Sequence, residues 1–63
     1  MGHAEAVAKV ALLRSEVVCL VGICGQGTHP LTELLEKLEN LELRPDDAVE
    51  QAEVIREHVM DFR

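Results

Sequence analysis

VVCLVGICGQGTHPLT, residues 17–32, decides the fold. Its apolar run can be read as a strand feeding a glycine-rich loop, or as a buried helix that glycine halts before a second helix begins. The flanking sequence favours the helix. Residues 4–13, AEAVAKVALL, are strong helix formers without Gly or Pro. On a helical wheel Val7, Val10, Ala11, Val17, Val18 and Val21 gather on one side, and Glu5, Lys9 and Glu16 on the other. One helical period therefore runs through Arg14-Ser15-Glu16 into the apolar stretch. From Val17 onward the helix is apolar almost all round, which predicts burial on several sides. The sequence predicts a long helix over about 4–24, stopped by Gly25 and Gly27, with residues 1–3 as an appended or disordered end.

Thr28-His29-Pro30 then reads as a helix start, with Thr28 or His29 at the N-cap and Pro30 in the first turn, where its missing N–H costs nothing. A second helix is predicted over about 30–43. Leu31, Leu34, Leu35, Leu38 and Leu41 form its packing stripe, and Glu33 with Lys37 makes an i,i+4 pair on its wet face. Arg44-Pro45-Asp46-Asp47 breaks the pattern, and Asp47 followed by Glu50 resembles a capping box opening a third helix over about 47–62. Along it Ala48, Ala52, Ile55, Val59 and Phe62 step by 4-3-4-3, a seam for helix packing. The fold expected is all-α, one domain of three helices.

At 63 residues a single core is marginal, so a staple is expected. Cys19 and Cys24 lie five apart, which points them away from each other on a helix and argues against a disulfide. Oligomerisation remains, and nearly half the residues are apolar. The expectation is a homo-oligomeric helical bundle, a homodimer, whose interface draws on Val7, Val10, Ala11, Arg14, Val17, Val18, Val21, Leu34, Leu38, Leu41, Ile55 and Val59. Arg14 stands out there as a cation on an apolar face. It is read either as snorkelling or paired with a facing carboxylate, or as an anchor for a partner.

The formal charge of −6 argues against nucleic acid and against an anionic membrane surface. A single aromatic residue, Phe62, leaves no platform for base stacking. The run Val17–Cys24 is too short to span a bilayer and lacks the flanks of a signal peptide. A soluble cytoplasmic protein with free thiols is expected.

Gly22 and Gly27 with the residues between them carry the glycine spacing of a phosphate loop, and over about 16 residues the stretch resembles the P-loop nucleoside triphosphatases. It departs from them where the chemistry lies: Thr28 stands in place of the lysine and His29 in place of the hydroxyl residue. Nor does a second segment read as a strand from which to build a parallel sheet. Leu34-Leu35-Glu36-Lys37-Leu38 is similar to the leucine-rich hairpin region of Rop-like four-helix bundles, over five residues that any amphipathic helix can supply.

Cys19, Cys24, His29 and His58 have the atom types of a zinc site without its spacing, and read as buried thiols and surface histidines. No catalytic residue, cofactor or metal is expected. The function expected is a small acidic interaction module, not an enzyme: a regulator or inhibitor that binds a protein partner as a homodimer. The alternative is a module binding a small ligand or phosphate through Gly25, Gly27 and Thr28 at a helix N-terminus.

Overall fold

Val17–Val21 is helix, not strand. The computed structural model describes residues 2–25 and 27–61, which form α1 (His3–Val21), α2 (Thr28–Glu39) and α3 (Pro45–Asp61). No strand occurs among the described residues. The all-α expectation holds, while the helix ends shift by one to four residues from those expected.

α1 stops at Val21, three residues before its expected end, because Gly22 has φ +88° and ψ 169°. That region of backbone space is essentially restricted to glycine. The Gly22 N–H still closes on the Val18 carbonyl at 2.8 Å, so Gly22 rather than Gly25 ends the helix. At the other end His3 is already helical, and the Ala6 N–H bonds the Gly2 carbonyl at 3.0 Å. His3, expected in an appended or disordered end, is thus part of α1, and Met1 lies outside the described residues.

α2 begins at Thr28, directly after the left-handed Gly27, and ends at Glu39 rather than near Leu43. The Glu42 N–H bonds the Lys37 carbonyl at 2.8 Å and the Leu41 N–H bonds the Leu38 carbonyl at 3.1 Å. This pair of bonds is a Schellman motif. Leu41 fills its left-handed position with φ +63°, where glycine is usual. Leu41 consequently leaves the leucine stripe and is 76 % exposed.

α3 begins with Pro45 itself, as fits a residue that has no N–H to offer, and the Ala48 N–H reaches back to the Arg44 carbonyl at 2.9 Å. Asp47 therefore lies inside the first turn, where its charge complements the helix dipole, instead of capping the helix. Phe62, expected to end the seam, lies outside the described residues.

α2 runs back along α1, with Thr28 beside Gly22 and Thr32 beside Arg14. α3 returns in the direction of α1: Lys9 meets Glu53, and further along both helices Glu16 meets Arg56. The bundle so formed measures 31 × 17 × 15 Å. Its core joins Ala6, Val10, Leu13 and Val17 of α1 to Leu31, Leu34 and Leu38 of α2 and to Ala48, Val49, Ala52 and Val59 of α3. Ala48 and Ala52 let α3 lie close to its neighbours. Leu31 and Leu38, fully buried, each contribute about 1.5–3 kcal/mol of transfer free energy.

Candidate functional site

α1 packs along its 6-10-13-17 line, and this narrows the apolar side that the sequence assigns to it. Of the α1 residues expected at an oligomer interface, Val10 and Val17 are fully buried inside the single chain, and Val7 and Val21 pack at the core's edge. Ala11 and Val18 are partly exposed. Leu34, Leu38 and Val59 are core residues and Ile55 lines the core, whereas Leu41 points away from it. Most of the apolar surface assigned to a second copy is therefore already covered by the chain's own helices. Ala6 and Leu13, core residues absent from that assignment, lie on the same 4-3-4 line as Val10 and Val17.

Arg14 is half-buried and its Nε donates to Thr32 Oγ1 at 2.7 Å. The Thr32 hydroxyl in turn donates to the Thr28 carbonyl at 2.9 Å. The arginine thus ties α1 to the first turn of α2. Glu33, expected to pair with Lys37, has His29 Nε2 at 3.5 Å.

In the turn Gly25-Gly27-Thr28 three donors bond within the loop. The Gly25 N–H bonds the Gly22 carbonyl at 3.1 Å, the Thr28 N–H bonds the Gly25 carbonyl at 3.3 Å, and Thr28 Oγ1 donates to the Gly22 carbonyl at 3.1 Å. Gly27 and Thr28 are buried. The glycines serve packing: a Cβ on Gly25 would lie 2.4 Å from the Val21 carbonyl oxygen, and one on Gly27 2.4 Å from Val59 Cγ2.

What α1 leaves uncovered is more informative. Cys19 and Cys24 are free and exposed, contrary to the expectation of buried thiols. Cys19 lies on the side of α1 away from the core, only Val17 of the stretch Val17–Val21 being fully buried, and Cys24 lies in the turn beyond the helix. Ala8, Leu12, Ser15 and Cys19 form a second 4-3-4 line opposite the core line, and all four are exposed, Leu12 by 60 %. Beside it a shallow groove of about 370 Å³ is lined by Ser15, Glu16, Cys19, Leu20, Arg56 and Met60. Across that groove Arg56 Nε donates to Glu16 Oε2 at 2.6 Å. The 4-3-4 spacing of the second line is visible in the sequence, but its small residues hide it from a search for large apolar side chains.

α3 presents a different surface. Asp46, Asp47, Glu50, Glu53, Glu57 and Asp61 are all exposed, against one arginine in the helix. Val54, 60 % exposed, sits among them, with Glu50, Gln51 and Ile55 around one shallow hollow and Pro30, Ile55 and His58 around another. Among the described residues no three His, Cys, Asp or Glu side chains converge as metal ligands, and no helix is long and apolar enough to cross a membrane. Comparison with protein-family models, curated proteins and solved structures finds no match for the chain.

Proposed function

We propose that the chain is a non-catalytic, homodimeric interaction module, a small regulator or inhibitor whose acidic α3 face binds a basic protein. The observation that carries the reading is the segregation of charge. α1 holds Glu5, Lys9, Arg14 and Glu16, two of each sign, whereas α3 holds six acids against Arg56. Acidic side chains around an exposed apolar Val54 suit a partner that offers cations around an apolar anchor. The uncharged outer line of α1 suits self-association, because two copies that each carry −6 repel least where they are locally neutral.

Two measurements test this. Sedimentation of the purified chain at micromolar concentration should give a dimer, and a monomer there defeats the homodimer. Capture from cell extract should yield a basic protein that a Glu50→Lys/Glu57→Lys variant no longer retains. Equal retention by both would remove α3 from the binding surface.

A further inference from the structure

We infer that the second copy docks on the outer line of α1 as an antiparallel α1–α1 pair, with Leu12 facing the partner's Ser15 and Cys19 facing the partner's Ala8. The inference rests on the homodimer proposed above and adds its surface and direction. α1 leaves apolar surface unmatched, Leu12 being 60 % exposed. A helix segment that is apolar all round belongs in a site covered on several sides, yet in Val17–Val21 Cys19 is exposed and Val18 and Leu20 are only partly covered. The opposite line of Ala8, Leu12, Ser15 and Cys19 has the 4-3-4 spacing of a coiled-coil seam, and its three small residues allow close approach around the protruding Leu12.

Charge sets the direction. A two-fold that places residue 12 against residue 15 also brings Lys9 alongside the partner's Glu16, and Glu16 alongside the partner's Lys9. Within one chain Lys9 lies 3.9 Å from Glu53 and Glu16 is bonded to Arg56, so the pairing would extend both into rows of alternating sign. Glu5, the next position on the seam, meets the partner's Gly22. A parallel pair makes neither cross-chain bridge and sets Glu5 against the partner's Glu5, a like-charge contact.

The two directions make opposite statements about Cys19. In the antiparallel pair the two Cys19 residues are eleven positions apart along the helices, about 16 Å, beyond the roughly 7 Å that a disulfide spans. In the parallel pair they face each other. The test uses the full chain with Cys24→Ser, with and without Ala8→Cys, air-oxidised with copper phenanthroline after sedimentation has given its oligomeric state. Ala8 is exposed, so the substitution leaves the core untouched.

The expected results are a dimer, no covalent dimer for Cys24→Ser alone, and an 8-to-19 cross-linked peptide by mass spectrometry once Ala8→Cys is added. Leu12→Glu should weaken dimerisation on the order of a hundredfold, since the two-fold puts two copies of the charge in one seam. A dimer that cross-links Cys19 to Cys19 overturns the antiparallel register and leaves the homodimer standing. A dimer indifferent to Leu12→Glu removes α1 from the interface, and a monomer removes both proposals.

Discussion

Gly27 lies against Val59 so closely that a methyl group on its Cα would stand 2.4 Å from Val59 Cγ2. The turn between α1 and α2 is thereby packed onto the far end of α3. Val17 and Ile55 line the same contact. Because Gly27 also has φ +89°, Gly27→Ala adds backbone strain to overpacking. A loss of about 2–5 kcal/mol is expected, from roughly 1–2 for the left-handed backbone and 1–3 for the crowding. Urea denaturation followed by circular dichroism measures it. Gly27→Ala combined with Val59→Ala should lose less than the sum of the two single variants, and simple additivity would show that the contact is not what the glycine protects.

Gly22 offers a contrast. It also has positive φ, but nothing lies within 4 Å of a Cβ placed there. Gly22→Ala should cost the backbone term alone, of order 1–3 kcal/mol. A cost above that of Gly27→Ala in the same urea titration would contradict the packing assigned to the two glycines.

Leu41 holds the left-handed position that ends α2 while its side chain is largely exposed, so Leu41→Gly should stabilise the fold by about 1 kcal/mol and Leu41→Asn by less. In a domain of this size that corresponds to a rise in Tm of about 4–8 °C. A fall in Tm would mean that Leu41 makes contacts in solution that the single chain does not have.

Arg14 and Thr32 should behave as a pair. Arg14→Ala is expected to cost about 1–2 kcal/mol, less than a fully buried charged hydrogen bond, because the contact is only half-buried. Thr32→Val should remove most of that loss from the double-mutant cycle. If Arg14→Ala acts on self-association and leaves stability unchanged, the arginine is a binding anchor and not a strut.

Glu16 and Arg56 are close in space but more than a third exposed, so their pair is worth less than about 1 kcal/mol within one chain. Glu16→Gln should therefore alter chain stability little, with the small effect fading as salt approaches about 1 M. A loss well above that limit in dilute monomer would show a stronger coupling of α1 to α3 than exposure allows.

Helical class was legible in the sequence because it rests on period and punctuation. The run AEAVAKVALL, the leucines at 31, 34 and 38 and the two proline-marked helix starts suffice for three helices. Helix ends were less legible. Glycines at 22, 25 and 27 are equivalent as letters, and only the chain path shows that Gly22 ends α1, Gly27 takes the left-handed conformation, and Gly25 and Gly27 make room for Val21 and Val59. Leu41 belongs to the stripe by spacing and leaves it by backbone conformation.

The candidate surface divides in the same way. By itself the sequence determined an acidic, helical chain with amphipathic periods, since composition and periodicity are properties of order along the chain. The tertiary structure decided which apolar line of α1 faces inward. Both the 6-10-13-17 line and the 8-12-15-19 line have helical spacing, and α2 and α3 cover the first because its Val and Leu side chains interlock with Leu31, Leu38 and the small Ala48 and Ala52. Burial depends on what the other helices bring to a face, and that is settled only when all three pack together.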